Sequence, residues 1–496
     1  MTAILRRTAA TGGLLLSLLL LPAAVAPPTA DADAAPTALR WGPCPAPTPN
    51  ANGTPFPRDP RQRCTTLRVP RDYRHPGAGT LTLTVSRIRT ADPAHRRGDL
   101  VVVPGGPGGS GLDYPGEATA FLPPDVLRSY DLIGFDERGV GNSTPVHCDL
   151  PAEERAAELN YPFPAPDGSI TANLDLARRI ADACAAASGP YLADITTADS
   201  ARDLDRIRAA LGVHRISYLG SSYATYLGQV YASLFPTRAE HLVLDSTVAP
   251  GGEQQAIGLF SEGTEEAFPA LARYLAARDD TLHLGATPEA VRAAYLRLAE
   301  ELDRAPFGLP DGRTLTGNTL RAVVYASLTK PRYYPLAATV LRMAATRTAP
   351  PPGGSPGSGL PSVIPDNFVA AQSAVICGDS AWPRDPAVYA ARTAADRQRY
   401  PLTAGMSGNV WPCAFWHYRP EEPPVRPNPD GPRNILMLQN RYDASTPYSG
   451  ARQARSAFGH RAAMVTVDAT GHGVDFTDPR IRDPLTAFLL DGRLPA

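Results

Sequence analysis

Two adjacent serines occupy a short turn in the segment Gly220-Ser221-Ser222-Tyr223-Ala224. An apolar, β-branched run ends just before this turn, and an apolar helical pattern follows it as far as about Phe235. A Gly-x-Ser-x-small motif between a strand and a helix is typical of a nucleophile elbow, which pushes its central side chain out over the end of the sheet. The motif therefore predicts Ser222 as a nucleophile and Ser221 as its structural neighbour.

The last position of the motif departs from the usual pattern. Ala224 stands where a second glycine is common, and its extra methyl group fits if the φ angle there is negative. Gly-x-Ser-x-small also occurs by chance, so the alternative is an ordinary strand–helix turn without chemistry. The flanking strand and helix patterns favour the elbow.

A serine hydroxyl needs a general base, and an elbow serine is followed along the chain by an acid and then a histidine. Asp443 follows an apolar strand pattern at residues 434–438, and His472 lies between two glycines after a similar pattern at residues 463–467. We expect His472 to take the Ser222 proton and Asp443 to orient the imidazole. Asp245, which ends the strand after the elbow, is the reserve candidate for the acid.

The glycine-rich segment Pro104-Gly105-Gly106-Pro107-Gly108-Gly109-Ser110-Gly111 follows a buried strand pattern, Leu100 to Val103. Such a loop lets backbone N–H groups approach a reacting carbonyl closely. We place the oxyanion donors at the N–H groups of Gly106 and Tyr223. A phosphate cradle is the alternative, but the Gly-Lys-Ser/Thr ending of a P-loop is missing and Pro107 has no N–H to donate.

These residues need a framework of strands and helices. Further strand patterns occur at Thr80–Ser86, Tyr130–Phe135 and His241–Asp245, and a helix is predicted from Thr197, as its cap, to Leu211. Strands that alternate with helices predict an α/β fold with a mostly parallel sheet and helices on both faces. From Pro250 to about Pro429 the pattern becomes helix-rich and irregular, which indicates a large insertion that includes a flexible Pro/Gly/Ser stretch, Ala349 to Ser362.

Composition excludes some classes of function. The chain has 496 residues, 43% of them hydrophobic and 20% charged, with a net charge of −1. It therefore has no basic excess with which to neutralise nucleic-acid phosphates or an anionic membrane. No Cys-x-x-Cys or His-x-x-x-His spacing indicates a metal site, and we predict no metal and no cofactor.

The N-terminus and the cysteines both indicate export. Arg6 and Arg7 precede a short apolar run, Gly12 to Leu21, and small-residue cleavage signatures follow. This run is too short to span a bilayer comfortably, so we predict a secretory signal peptide rather than an anchor, and no membrane association after its removal. Six cysteines in an exported chain predict disulfides, with 15 possible pairings. Sequence-local pairing would give Cys44–Cys64, Cys148–Cys184 and Cys377–Cys413.

The sequence resembles the secreted α/β-hydrolase peptidases of the prolyl-aminopeptidase family, in particular the bacterial tripeptidyl aminopeptidases. The matching segments include Trp41–Cys44, Cys64 with Val69–Tyr73, the loop 105–111, Asp136–Ser143, residues 197–250, Cys377–Asp379, Trp411–Cys413 and both segments that carry Asp443 and His472.

The resemblance implies an α/β-hydrolase fold and the removal of N-terminal tripeptides from peptides and proteins. We expect a signal peptide and possible short propeptide in residues 1–34, and a first part of the hydrolase core in residues 35–250. We expect a helix-rich lid insertion in residues 251–429, and a C-terminal part of the core in residues 430–496. A lid of this kind would exclude folded proteins and admit chain ends.

The predicted function is that of a secreted serine exopeptidase acting on peptides with a free N-terminus. A proline iminopeptidase or a carboxylesterase on the same fold is the alternative, and an inactive binding protein is a third hypothesis that the complete set of catalytic candidates disfavours. No pattern predicts an oligomeric state. A carboxylate should bind the substrate α-ammonium group, and the candidates are Glu253, Glu262, Glu265, Glu266 and Asp379.

Two further groups of residues favour structural roles. We interpret Asp136 and Arg138 as a charged pair that shapes a loop near the site. For Trp411 and Trp416, core packing is favoured over a substrate platform.

Overall fold

A computed structural model of the chain describes residues 39–495, except 51–52, 157–160, 311 and 349–362. The predicted signal peptide and propeptide, and the predicted flexible stretch from Ala349 to Ser362, lie outside the described residues. No helix within the described part of the chain combines the length and the apolar character needed to cross a bilayer.

The strands are β1 (Arg63–Pro70), β2 (Thr80–Ile88), β3 (Gly98–Val103), β4 (Tyr130–Phe135), β5 (Ile216–Ser221), β6 (Ala239–Asp245), β7 (Phe307–Gly308), β8 (Thr314–Leu315), β9 (Ile435–Tyr442) and β10 (Ala462–Thr470). Eight of them form one sheet in the order β1-β2-β4-β3-β5-β6-β9-β10, whereas β7 and β8 pair with each other. Strand β2 runs antiparallel to β1 and β4, and all other neighbours in the large sheet are parallel. The predicted α/β-hydrolase fold is confirmed.

The helices are α1 (Tyr114–Phe121), α2 (Pro124–Ser129), α3 (Thr171–Ser188), α4 (Thr197–Ala210), α5 (Tyr223–Leu234), α6 (Gly252–Ala276), α7 (Asp279–Leu282), α8 (Pro288–Arg304), α9 (Gly317–Thr329), α10 (Tyr334–Thr346), α11 (Asp366–Asp379), α12 (Pro386–Arg399), α13 (Tyr448–Phe458) and α14 (Pro479–Asp491). Helix α4 differs from the prediction at its first residue. The capping side chain is Thr196, which accepts a hydrogen bond from the N–H of Asp199 at 3.1 Å, and Thr197 is already helical.

Both faces of the sheet are covered, which explains the continuous apolar runs of its central strands. Leu100 and Val102 of β3 belong to one buried cluster with residues of α1, α2 and α14. Val101 and Val103, which point to the opposite face, belong to another cluster with residues of α3, α4, α5 and α13.

The helices between β6 and β9 contribute to two different apolar clusters. Helices α6, α8, α9 and α10 surround an apolar core of their own, which includes Phe268, Leu298, Leu320 and Leu341. Helix α11 instead adds Ala370, Ala371 and Ala374 to the cluster on the main sheet. The domain boundaries proposed from the sequence stay a prediction, but α11 contributes to the apolar cluster on the main sheet and not to the separate core of the other four helices.

All three disulfides have the pairings that sequence-local pairing predicts: Cys44–Cys64, Cys148–Cys184 and Cys377–Cys413. The last of them ties the end of α11 to the segment that follows α12.

Candidate active site

The turn that carries Ser222 has the backbone of a strained elbow. Ser222 lies between β5 and α5 with φ 59° and ψ −128°, a conformation that costs a non-glycine residue about 1–3 kcal/mol. Its N–H donates to the carbonyl of Asp245 at 2.9 Å, which ties the turn to the end of β6. A side chain on Gly220 would place its Cβ 2.6 Å from the carbonyl oxygen of Ala224, so this position requires glycine. Ala224 itself is helical, with a negative φ, and its methyl group fits.

The glycine loop lies directly against Ser222. A Cβ on Gly105 would come within 2.5 Å of the Ser222 Cβ and 3.0 Å of its Oγ. Among the residues that the structure describes, the N–H groups of Gly106 and Tyr223 donate no hydrogen bond. Two unpaired donors close to a nucleophile are what an oxyanion site requires. Their assignment as oxyanion donors stays a prediction.

Asp136 and Arg138 do not pair with each other, contrary to the sequence-based interpretation. The Asp136 carboxylate accepts from the Ser110 hydroxyl at 2.6 Å and from the Leu112 N–H at 3.0 Å, and so fixes the glycine loop. Arg138 is fully buried and makes a bidentate pair with Asp203, at 2.8 Å for both bonds. Both residues therefore have structural roles, through different partners.

His472 and Asp443 are brought together as the sequence order predicts. The Nδ1 atom of His472 lies 3.1 and 3.0 Å from the two carboxylate oxygens of Asp443. The carboxylate also accepts from the N–H groups of Ser445 and Thr446, both at 2.9 Å, and from the Thr446 hydroxyl at 2.8 Å. Burial by itself would raise the pKa of Asp443, but the charge and hydrogen bond of His472 and these N–H donors hold that pKa below its usual value. Asp443 is thus suited to orient an imidazolium.

Asp245 occupies a different place from the one a catalytic acid needs. Its carboxylate accepts from the Ser221 hydroxyl at 3.1 Å and from the Val474 N–H at 2.9 Å. It makes no hydrogen bond to the imidazole of His472 within the described part of the chain. Burial raises the pKa of Asp245. The contacts therefore favour Asp443 over Asp245 as the partner of His472.

Ser222, His472 and Gly106 line one cavity of about 690 Å³, a volume suited to a small molecule or a short peptide segment. Aromatic side chains form much of its wall: Tyr161, Phe260, Tyr325, Phe368 and Trp411. Trp416 is buried in the core as predicted, whereas Trp411 lines this cavity and its indole N–H has no partner among the described residues. A second cavity of about 520 Å³ also has Tyr161 and Trp411 in its wall.

The structure distinguishes the five acids that the sequence leaves equivalent. Glu262 accepts from Ser449, Glu265 pairs with Arg292 at 2.9 Å, and Asp379 accepts from the N–H and hydroxyl of Thr197. Glu266 lies outside the cavity.

Of these five, Glu253 alone lines the cavity with Ser222. It is 8% exposed and makes no hydrogen bond or ion pair with any residue that the structure describes. Burial, assisted by the charge of Asp379, raises the pKa of Glu253 to about 8. No local sequence signal separates Glu253 from its neighbours, because its role depends on which face of α6 meets the cavity.

The helical insertion also packs on both loops that carry the candidate base and acid. A Cβ on Gly263 of α6 would come within 2.9 Å of the carbonyl oxygen of Asp443. The carbonyl oxygen of Thr329, at the end of α9, accepts from the N–H of His472 at 2.7 Å. The insertion is thus part of the environment of the site and not only its cover.

Three buried acids near the nucleophile helix should make stability depend on pH. Burial raises the pKa of Glu137 and of Asp379 to about 7, and that of Glu253 to about 8, whereas unfolded carboxyls titrate near 4. The folded protein therefore holds protons that the unfolded chain has lost, and we expect stability to fall as pH rises from about 5 to about 8. Asp379→Asn should reduce that loss by about 1–2 kcal/mol.

Thermal unfolding at pH 5.5 and pH 8 measures this effect. The matched control is the exposed Asp280→Asn, which should show the wild-type difference between the two unfolding temperatures. An unchanged difference in Asp379→Asn would show that its carboxyl is ionised in the folded protein at pH 5.5.

One group of three potential metal ligands occurs among the described residues: His147, Asp149 and Asp366. The Asp366 carboxylate already accepts from the N–H groups of Cys148 and Leu150, both at 3.0 Å. This group lies outside the cavity that contains Ser222, and the Asp366 carboxylate serves to hold the loop around Cys148 and Leu150.

Comparison with known proteins identifies close relatives. Residues 400–496 match the family model described as TAP-like protein. A tripeptidyl aminopeptidase of Streptomyces lividans is 33% identical over 449 residues, which covers 88% of this chain and 82% of the relative. Carboxylesterase B of Mycobacterium tuberculosis is 32% identical over 457 residues, with coverage of 87% and 85%. Serine protease Hip1 of the same organism is 27% identical over 461 residues, with coverage of 87% and 86%.

Proposed function

The chain belongs to the tripeptidyl aminopeptidase family of α/β hydrolases, and on that premise we propose that it is a secreted serine exopeptidase that removes tripeptides from free N-termini. Acyl transfer would proceed through Ser222, His472 and Asp443. The observation that carries the aminopeptidase assignment is the carboxylate of Glu253, which lies in the same cavity as Ser222 and His472 and has no partner among the described residues. Once ionised, the carboxylate supplies a negative charge where an exopeptidase has to hold an α-ammonium group.

The proposed reaction begins when the Ser222 Oγ attacks the carbonyl carbon of the scissile bond and His472 takes its proton. The N–H groups of Gly106 and Tyr223 donate to the oxyanion that forms. His472 then gives the proton to the departing amine, which leaves an acyl-enzyme. Water, deprotonated by His472, releases the N-terminal fragment and restores the serine. Asp443 holds the imidazole through Nδ1 and stabilises its charged form.

Glu253 restricts the proposed reaction to the free N-terminus of a peptide. An ionised carboxylate without a partner is costly to bury, and this burial raises the pKa of Glu253 to about 8 in the free protein. A substrate ammonium supplies the missing partner with a charge-assisted hydrogen bond. A peptide with a blocked N-terminus brings no charge and leaves Glu253 unpaired.

Mass spectrometry of an unblocked decapeptide, beside its N-acetylated twin, tests the proposal. We expect successive losses of three residues from the free peptide and no cleavage of the acetylated one. Losses of one residue would instead indicate a proline iminopeptidase. Cleavage of neither peptide, with hydrolysis of a simple aryl ester, would overturn the peptidase proposal and leave an esterase. The similarity to a carboxylesterase B makes the ester assay a necessary part of the experiment.

Glu253→Gln should lower kcat/KM for free peptides by about 10²- to 10³-fold, because it removes one partner of a buried charge pair. Hydrolysis of an aryl ester without an ammonium group should change little. The ratio of the two kcat/KM values should rise from pH 6 to pH 8 in the wild type, as Glu253 loses its proton, and stay flat in the variant.

Both substrates use the same serine and histidine, so the ratio cancels the titration of the catalytic groups. The matched control is Glu262→Gln, a change on the same helix outside the cavity, which should behave as the wild type. A Glu253→Gln variant that still prefers free over acetylated peptides would show that another group binds the ammonium.

Secretion is supported by the N-terminal sequence and by the disulfides, since such bonds persist in oxidising compartments. N-terminal sequencing of the protein from a culture supernatant tests it. We expect a mature chain that begins after residues 26–34, and recovery of the uncleaved chain from the cell would contradict the signal-peptide assignment.

A further inference from the structure

Lys330 is the only lysine in the chain of 496 residues, and every other basic side chain except the histidines is an arginine. It directly follows α9, in the helical insertion, and lines the cavity that contains Ser222 and His472. The side chain is half-buried. The one lysine of this arginine-rich chain therefore lies at the candidate active site.

Lys330 contacts the backbone of the histidine that we propose as the base. Its Nζ donates to the carbonyl oxygen of His472. On the other side of the same residue, the N–H of His472 donates to the carbonyl oxygen of Thr329 at 2.7 Å. A Cβ on Gly471 would come within 2.8 Å of the Pro331 ring. We call the segment Thr329–Pro331 the histidine clamp.

The histidine clamp differs from the other groups that form hydrogen bonds with the loop Gly471–Gly473. The side-chain amide of Asn440 donates to the carbonyl oxygens of Gly471 and Gly473, both at 2.9 Å, and the Ser246 hydroxyl accepts from the Gly473 N–H at 2.8 Å. These contacts from the sheet hold the residues on either side of His472. Among the described residues, the backbone N–H and C=O of His472 itself are bonded by the insertion alone.

We propose that Lys330 is a positioning residue for catalysis, through which the insertion fixes the backbone of His472. This inference rests on the proposed function, since it requires His472 to be the base. Asp443 fixes the rotation of the imidazole, but the distance of the ring from Ser222 also depends on the backbone that carries it. Without the ammonium group, the His472 carbonyl loses its charged donor and the loop loses its bond to the insertion on that side.

Lys330→Met keeps the length and the apolar stem of the side chain but removes the donor and the charge. We expect kcat for a tripeptidyl substrate to fall about 10- to 100-fold, while KM stays within about two-fold and the unfolding temperature falls by no more than about 3 °C. Lys330→Arg, which restores a cationic donor, should recover much of the lost kcat. The matched control is Arg332→Met, an exposed change two residues further along, which should leave both parameters unchanged.

Two results would overturn the proposal. A wild-type kcat in Lys330→Met would show that the bond to His472 is dispensable. A large rise in KM with an unchanged kcat would show that Lys330 binds the substrate instead. The labelling of Ser222 by an organophosphonate separates these failures from failure of the proposed function. If the wild-type protein is not labelled at Ser222, the catalytic assignment itself is wrong, whatever the Lys330 variants do.

The single lysine also allows a test on the unmutated protein, should Lys330→Met fold poorly. The only amino groups that acetylation of the folded enzyme can modify are those of Lys330 and of the N-terminus, and it removes the charge of the lysine. We expect loss of activity in proportion to acetylation at Lys330, as mapped by peptide mass. Lys330→Arg given the same treatment should keep its activity. Full activity of a chain acetylated at Lys330 would contradict the proposal.

Discussion

Ser222→Ala is expected to lower kcat/KM by roughly 10⁶-fold, because no other group can form the acyl-enzyme. The Ser222 hydroxyl makes no hydrogen bond to any described residue, so its removal takes no hydrogen bond away from the fold. We therefore expect the unfolding temperature to stay close to that of the wild type. Steady-state kinetics measure the loss, and an organophosphonate should add its mass to the wild type but not to the variant.

Ser221→Ala is the matched control for this experiment. The two serines are neighbours in one turn, but the Ser221 hydroxyl donates to the buried carboxylate of Asp245 at 3.1 Å. We expect this change to reduce activity less than about ten-fold, with a small loss of stability of about 1 kcal/mol from the broken hydrogen bond. If Ser221→Ala abolishes labelling and Ser222→Ala does not, the assignment of the nucleophile is reversed.

Asp443→Asn should lower kcat by about 10⁴-fold with little change in KM. The two residues have the same shape, but an amide places N–H donors where a carboxylate accepts from His472 Nδ1 at 3.0 Å. The imidazole would then be held in the tautomer that carries its proton towards Ser222, and an imidazolium would have no counter-charge. Stopped assays with a tripeptidyl substrate measure kcat and KM separately.

The comparison variant is Asp245→Asn, at the acid that sequence order leaves as an alternative. Asp245 accepts from Ser221 and from the Val474 N–H and does not bond the imidazole. The amide oxygen can still accept from the Val474 N–H, and the amide N–H group can donate to the Ser221 hydroxyl. We therefore expect activity within about ten-fold of the wild type. A collapse of kcat in Asp245→Asn alone would transfer the orienting role to that residue.

Some elements are predictable because their signal is local. The largely apolar run Tyr130–Phe135 coincides with the whole of β4, since a strand buried on both faces is apolar at most of its positions. The turn at Ser222 and the order of Asp443 and His472 can also be predicted from the sequence. Small residues mark the turn, and strand patterns precede both Asp443 and His472.

Other features depend on contacts between distant parts of the chain. Strand β1 mixes arginine, threonine and apolar residues, as suits an edge strand, and periodicity does not predict it. The partner of Arg138 is Asp203, 65 residues away, rather than the nearby Asp136. Glu253 is distinguished from Glu262 only when α6 is docked against the sheet. These pairings and positions depend on tertiary packing, so they cannot be predicted from a single segment of the sequence.

The insertion has a further consequence for how proteins of this design diversify. The predicted nucleophile, base and acid all follow strands of the sheet, whereas Glu253 and much of the aromatic wall belong to segments outside it. Evolution could therefore exchange the recognition surface while the reactive groups stay in place. The histidine clamp limits which insertions can be exchanged, because it also supports the backbone of His472. Any exchanged insertion would have to present a carbonyl oxygen and a cationic side chain to the loop that carries His472. New specificities should therefore arise most readily from insertions that keep the histidine clamp.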